Sequence, residues 1–266
     1  MDLTNPRELA ILLKTHGLWL SKNLGQHYLI DKKVLKAIIE AGEITKDDRI
    51  LEVGPGAGVL TVELSALCDH VTTIELDRRV LPVLRSGLGL GSKVTIVQGD
   101  ALDYELPPTP WKWISNLPYQ ITSPILRKYL FSPKRPKLTV LLIQREVADK
   151  ICDRKGNRIG LLVRNFCEVE KMLDVSPRSF FPPPKVNSAV IRMLTRPEPI
   201  IPESEWPNAE KVMKTAFLQK RKKIKTSLSS LYPDALANLE KAGIDPNRRP
   251  ETLSLEEWRT LAKLFL

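Results

Sequence analysis

"DDRILEVGPGAGVLT" (Asp47 to Thr61) runs from a short apolar strand through a glycine turn into the start of a helix, the opening unit of a βαβ fold. Apolar runs of similar length recur at "HVTTIEL", "KVTIVQGD", "WKWISNLP", "LTVLLIQ", "EVEKMLDV" and "AVIRMLT", with amphipathic segments between most of them. Seven strands joined by helical crossovers predict an open α/β sheet covered on both faces. The last two runs are separated only by "SPRSFFPPPKVNS", which is loop chemistry, so they are expected to pair antiparallel. Upstream, "SKNLGQHYLID" (Ser21 to Asp31) reads as a loop, followed by a helix from about Lys32 to Gly42.

After Thr195 the texture changes. "RPEPIIPESEWP" (Arg196 to Pro207) holds four prolines without apolar periodicity and reads as a linker. Beyond it "NAEKVMKTAFLQKRKKIKTSLSSLY", "DALANLEKAGI" and "SLEEWRTLAKLFL" are helical patterns, the second ending at Gly243 and the third opening on a Ser254 cap. The expected domains are therefore 1–198, carrying the sheet, and 199–266, small and helical.

The 266 residues include 42% hydrophobic ones, with no apolar run near the ~18 residues of a membrane span. No signal or transit peptide is recognisable at the N-terminus, so a cytoplasmic protein is expected. Cys68, Cys152 and Cys167 are odd in number and far apart, which suggests neither a disulfide framework nor a zinc site. The formal charge of +10 favours a polyanionic partner.

Gly54, Gly56 and Gly58 occupy the first strand-to-helix turn, where only residues without side chains let a ligand approach the backbone beside a helix N-terminus. The G-x-G-x-G spacing does not demand a pyrophosphate, and a tight packing turn would also explain it. Glu75 ends the second strand, where a carboxylate can accept both hydroxyls of a ribose. Asp100 ends the third strand near the same crevice, either as a ligand contact or as a helix cap. The fourth strand ends in Asn116-Leu117-Pro118-Tyr119. An adenine N6 is a poor nucleophile because its lone pair is delocalised into the ring. A site that methylates it must accept hydrogen bonds from the amine, and the Asn116 side-chain oxygen and Leu117 carbonyl, fixed by Pro118, suit that task. Tyr119 would stack on the base.

Together these residues resemble the ribosomal RNA adenine N6,N6-dimethyltransferases, in layout nearest the small-subunit (16S-type) branch. The resemblance is carried, in order and across nearly the whole chain, by "KNLGQHYLID", "LEVGPGAGVLT", "IELD", "GDAL", "NLPYQITSPIL", "QREVADKI", "SFFPPPKVNSAVIRM" and "AFLQKRKKIKTSL". It implies a Rossmann-like class I methyltransferase fold with a mostly parallel seven-stranded sheet whose last strand is antiparallel. It also implies S-adenosylmethionine held by Gln26, His27 and Leu29, by Gly54 and Gly56, by Glu75 on the ribose, by Asp100 near the adenine amine and by Asn116 close to the methyl group. The family more often carries Asn at the place of His27, which points to a backbone contact there. Phe180 would be the second aromatic wall opposite Tyr119; the residues alone do not separate it from Phe181, and the family pattern favours Phe180.

Lys211 to Lys225 holds seven basic residues and no acid. Such a run is often a solvated helix face, but beside an RNA enzyme Lys220, Arg221, Lys222, Lys223 and Lys225 are expected to bind phosphates. The expected reaction is double methylation of adenine N6 in small-subunit ribosomal RNA, on two adjacent adenosines near the 3′ end, by a monomer without a metal and with a role in ribosome biogenesis. Three rivals remain: a large-subunit methylase of the macrolide-resistance type, a non-catalytic ribosome-assembly or transcription factor, and, weakest, a dehydrogenase.

Overall fold

A computed structural model describes residues 1–18, 27–89, 93–153, 156–219 and 221–265. They fall into two compact units, one of Met1–Asp149 with Val169–Thr195 and one of Lys150–Glu168 with Arg196–Leu266. The break after Thr195 lies three residues before the expected 198/199 boundary. The second unit also takes in residues 150–168, a stretch that the sequence reading assigned to the first.

The first unit opens with α1 (Pro6–Thr15), a helix not foreseen from the sequence. Asn5 caps it by accepting from Arg7 N–H, and Pro6 stands at its first turn, where a missing N–H costs nothing. The strand β1 (Tyr28–Leu29) and helix α2 (Lys32–Ala41) follow, the latter capped by Asp31. Then β2 (Arg49–Val53), α3 (Val59–Leu67), β3 (His70–Glu75), α4 (Leu81–Leu88), β4 (Thr95–Gln98), β5 (Lys112–Asn116), α5 (Thr122–Phe131) and β6 (Leu138–Gln144) alternate along the chain. Helices α6 (Arg145–Cys152) and α7 (Arg158–Phe166) lead to β7 (Cys167–Val175), β8 (Phe180–Phe181) and β9 (Ser188–Thr195).

Among the described residues, seven strands form one sheet in the order β4-β3-β2-β5-β6-β9-β7. The pairs β2·β3, β3·β4, β2·β5 and β5·β6 are parallel, and β9 runs antiparallel to β6 from Leu138↔Leu194 to Gln144↔Ser188. The two strands expected to pair, β7 and β9, are neighbours. Residues 28–29 and 180–181, expected as loop, form a separate antiparallel pair with Tyr28 opposite Phe181 and Leu29 opposite Phe180. Two-residue strands have no periodicity to read; only pairing across the fold creates them.

The strand order reverses between β2 and β5. Backbone pairing of β2 with β3 extends to Val53↔Ile74, whereas pairing with β5 stops at Leu51↔Trp113. The Val53 N–H donates instead to Ser115 Oγ at 2.8 Å, a side chain filling a place in the ladder where the strands diverge. A crevice at the carboxyl end of the sheet is the result, at the switch point where open α/β sheets take ligands. At the opposite end, the buried carboxylate of Asp48 meets Lys112 Nζ at 2.8 Å and Lys137 Nζ at 2.7 Å. Burial pushes that carboxyl up, but hydrogen bonds from Lys112, Lys137 and Thr45 outweigh it and hold the group far below the ordinary range.

The second unit joins α6's last turn and α7 to α8 (Trp206–Phe217), α9 (Ile224–Ser229), α10 (Ala235–Lys241) and α11 (Leu255–Ala262). Ser254 and Glu257 form a reciprocal capping box on α11, as the Ser254 cap predicted. Gly243 takes a left-handed φ of 71° just past α10. The long pattern from Asn208 to Tyr232 is not one helix. It breaks between Phe217 and Ile224, where Ile224 is fully buried and its N–H donates to Arg248 O at 2.8 Å. No helix among the described residues is long and apolar enough to cross a membrane.

Candidate functional site

A cavity of about 590 Å³ opens where β2 and β5 diverge, lined by the ends of β2, β3 and β5, the turn after β4, and the segment around β1. The glycines of the first turn permit its shape. Gly54 and Gly56 have φ of 71° and 56°, in the left-handed region. A Cβ on Gly54 would lie 2.9 Å from Pro118 Cδ and Cγ, and one on Gly56 would lie 3.0 Å from Tyr28 Cε1. Bare backbone at these two positions is what lets the Asn-Leu-Pro-Tyr loop and Tyr28 close onto the turn.

Glu75 is 9% exposed and lines the cavity. Its Oε1 accepts from Asp77 N–H at 2.9 Å and its Oε2 from Gly56 N–H at 3.3 Å. Burial pushes its carboxyl above the ordinary value, partly opposed by those two donors. Asp100 lines the same cavity while its Oδ1 accepts from Leu102 N–H at 2.8 Å, so it is both a lining residue and the cap of its turn.

Asn116 ends β5 with its amide half-buried. Its Nδ2 donates to His27 O at 3.4 Å, which sets the orientation of the amide; the other end, Oδ1, is an acceptor. The Leu117 N–H donates to Leu142 O at 3.1 Å, fixing the peptide next to it. Pro118 leads into a single 3₁₀ turn at Tyr119–Ile121. Tyr119 OH and Ser188 Oγ are 2.6 Å apart, tying the loop to the start of β9, and burial raises the phenol above its ordinary value. His27, Leu29, Gly54, Gly56, Glu75, Asp100, Asn116, Leu117, Pro118 and Tyr119 thus meet around one cavity. Gln26 lies outside the described residues.

Phe180 does not join them. It is 2% exposed and packs in the core with Leu29, Val175 and Val190, because its strand pairs with β1 and turns that ring inward; Phe181 is half-buried and packs against the same core. Neither ring lines the cavity. Arg221, Lys222 and Lys223 are exposed in the connection between α8 and α9 rather than on a helix face, Lys225 is half-buried in α9, and Lys220 lies outside the described residues. Lys223 Nζ donates to Asn247 Oδ1 at 3.0 Å.

Several residues of the site escaped the sequence reading. Glu52, 1% exposed, lines the cavity, and its Oε2 accepts from Thr61 Oγ1 at 2.7 Å. Burial, with Glu75 nearby, pushes its carboxyl up to about 8. An acid inside the apolar run "ILEV" was its signal. Lys128 of α5 donates to Leu102 O at 2.5 Å and Tyr104 O at 2.7 Å, bracing the turn that carries Asp100. Tyr28 and Ser188 gave no local sign of their roles, which depend on partners far along the chain.

Comparisons with known proteins agree with this arrangement. The family model described as ribosomal RNA adenine dimethylase matches residues 19–266. A "Ribosomal RNA small subunit methyltransferase A" of Clostridium botulinum (strain Langeland) is 38% identical over 91% of this chain and 92% of that protein. A protein of the same name from Bacillus mycoides is 32% identical over 100% of this chain and 98% of its own. Among solved structures, the 23S rRNA methyltransferase ErmE superposes with a TM-score of 0.72 at 31% identity, covering 89% of this chain and 98% of that one. A dimethyladenosine transferase from Plasmodium falciparum superposes with a TM-score of 0.76 at 26% identity over 88% and 96%. With the family model spanning the cavity-bearing unit and the helical unit alike, the chain belongs to the ribosomal RNA adenine dimethylases.

Proposed function

We propose that this protein transfers two methyl groups from S-adenosylmethionine to the N6 of adenine in small-subunit ribosomal RNA, on two adjacent adenosines near the 3′ end, as a step of ribosome biogenesis. The observation that carries the proposal is the Asn116 amide. Its nitrogen is engaged by His27 O, so its oxygen is left to accept from an amine, in a cavity walled by Tyr119. The curated relatives whose names specify the small subunit match 91% and 100% of the chain.

The cavity fits the cofactor. Glu75 offers a carboxylate to a ribose diol, Asp100 offers one to an adenine amine, and Gly54 and Gly56 offer uncovered backbone. His27 and Leu29 would contribute backbone groups, with Gln26 closing the site. S-adenosylmethionine supplies an electrophilic methyl group when bound. Asn116 Oδ1 and the Leu117 carbonyl hold the two N6 hydrogens in the first transfer and share the one that remains in the second, which directs the nitrogen lone pair away from them, and Tyr119 holds the ring plane. A strong base is unnecessary, because the nitrogen becomes acidic on alkylation and releases its proton to water. The protein is proposed to act as a monomer.

The helical unit's Arg221, Lys222, Lys223 and Lys225, with Lys220, supply cations for RNA phosphates. A large-subunit substrate is the alternative reading; it rests on the likeness to the 23S rRNA methyltransferase ErmE, and the relatives named for the small subunit do not favour it. Transfer of labelled methyl from S-adenosylmethionine to unmethylated small and large subunits, followed by nucleoside mass analysis, separates the two. Dimethyladenosine in the small subunit alone is expected; label in the large subunit would establish the second reading.

A further inference from the structure

Among the described residues, the crossover from β4 to β5, residues 99–111, contains no helix, whereas α3, α4 and α5 bridge the other parallel strands. Crossover helices are what cover the faces of a parallel sheet. Where this one is missing, a second cavity of about 260 Å³ stands open at the amino ends of β2, β3 and β4, with Pro107 of the helix-free crossover in its lining. It lies at the opposite end of the strands from the cavity that holds Asn116. Arg49 at the start of β2 lines the second cavity and Gly54 lines the first, an interval of roughly 16 Å at the rise of a parallel strand.

The register decides which side chains share the open face. Arg49 is level with His70, and Thr72 is level with both Leu51 and Thr95. Residues two apart share one face of a strand, so Arg49, His70, Thr72 and Thr95 project together. Under a covering helix these positions would be apolar; here Arg49, His70 and Thr95 are exposed and Thr72 is half-buried. The Arg49 guanidinium has neither a hydrogen bond nor an ion pair among the described residues. Lys93 also lines the cavity, with its Nζ 3.2 Å from Asp69 Oδ1, while Lys46 Nζ lies 3.9 Å from Asp69 Oδ2. Asp69 is the one carboxylate in the lining, and two lysines already share it. The face is therefore cationic, with a guanidinium left over.

That set of groups suits a phosphodiester. A guanidinium fork matches two phosphate oxygens, a lysine adds a point charge, and threonine hydroxyls donate to further oxygens. We propose that this open face is a second phosphate-binding site for the RNA substrate, in which Arg49 and Lys93, with the Thr72 and Thr95 hydroxyls, hold the backbone of a segment remote from the methylated adenine. The proposal rests on the reading of ribosomal RNA as the substrate. Phosphate contacts fix register without reading sequence, so the site positions the RNA and leaves the choice of adenine to the first cavity.

The test compares the full wild-type chain with Arg49→Gln, Arg49→Lys, the double variant Arg49→Gln/Lys93→Gln, and Lys36→Gln, which removes an exposed charge outside both cavities. Binding to unmethylated small subunits is titrated over a salt series, steady-state methylation is measured on the same subunits, and S-adenosylmethionine affinity is measured by calorimetry. The double variant should bind subunits about 3- to 10-fold more weakly and flatten the salt slope by up to about 0.7 units per lost contact on single strands. Its KM for subunits should rise while kcat and cofactor affinity hold. Arg49→Gln should show a smaller loss in the same direction, Arg49→Lys should keep most of the binding, and Lys36→Gln should keep the wild-type slope. A wild-type slope and KM in the double variant would overturn the inference and make the cavity a solvated face. A loss seen on intact subunits but absent on protein-free small-subunit RNA would overturn it in favour of an acidic ribosomal protein. A fall in kcat or cofactor affinity with subunit binding intact would overturn it as an effect on the first cavity. Wild-type protein that binds the RNA but transfers no methyl to adenine would sink the functional reading alone, and the salt slopes would still judge the phosphate site.

Discussion

Asn116 has an amide whose two ends are assigned by their neighbours, and that assignment predicts what its removal does. With Nδ2 on His27 O, loss of the side chain deletes the amine acceptor and slackens the segment around His27, but leaves Glu75 and Asp100 in place. Asn116→Ala should keep S-adenosylmethionine affinity within a modest factor while lowering methyl transfer by roughly a hundredfold or more, the scale of losing one preorganised polar contact to the reacting group. Near-normal turnover, measured with saturating RNA, would remove the role given to this amide. Glu52 makes a prediction of another kind. Its carboxyl is raised from an ordinary 4.5 to about 8 by burial. Between those values the folded protein keeps a proton that the unfolded chain has released, so the stability Glu52 contributes is complete below 4.5 and is lost as pH rises through 8. Glu52→Gln is neutral throughout and can still accept from Thr61, so its Tm advantage over wild type should grow from about pH 5 to about pH 9. Parallel Tm-versus-pH curves would show that no proton is retained there.

The site exists because two neighbouring strands, β2 and β5, part company after Leu51 and Trp113, short of their ends, and the groups on each side then meet across the gap. Gly54 and Pro118 are that meeting point. An alanine at 54 would carry a left-handed φ, at roughly 1–2 kcal/mol, and would press its Cβ to 2.9 Å of the Pro118 ring. Gly54→Ala should therefore lower the melting temperature and weaken cofactor binding about tenfold or more; unchanged values in thermal melts and calorimetry would mean that the loop yields freely. The glycine turn, the parallel strands and the acids at their ends were legible in sequence because each is a local pattern: an apolar run followed by the residue type that its end requires. The burial of Phe180 was not legible for the complementary reason. Its inward turn is set by pairing with Leu29, 151 residues away in the chain, and neither residue announces the other. The break between α8 and α9 was hidden similarly, since Ile224 keeps helical spacing while its backbone is claimed by Arg248 O. The first helix was not foreseen, although Asn5 and Pro6 form a standard start.

At the scale of the molecule, the cavity is built within the first unit, while the basic run around Arg221–Lys223 belongs to the second. Replacing Arg221, Lys222 and Lys223 by neutral residues should weaken RNA binding without altering cofactor affinity, and flatten the salt dependence by up to about 0.7 slope units per lost phosphate contact on single strands. An unchanged slope in binding titrations over a salt series would make the run a solvated turn. The pairing of residues 28–29 with 180–181 has a consequence in time as well as space. A ribosome delivers the glycine turn, Glu75, Asp100 and the Asn-Leu-Pro-Tyr loop long before it delivers Pro182 and Ser188, the anchors of His27 and Tyr119. During synthesis, which proceeds from the N-terminus at about 5–20 residues per second, a nascent chain already carrying Glu75 and Asp100 still lacks the groups that hold His27 and Tyr119. The surroundings of His27 and Tyr119 are therefore completed only once Ser188 has been made.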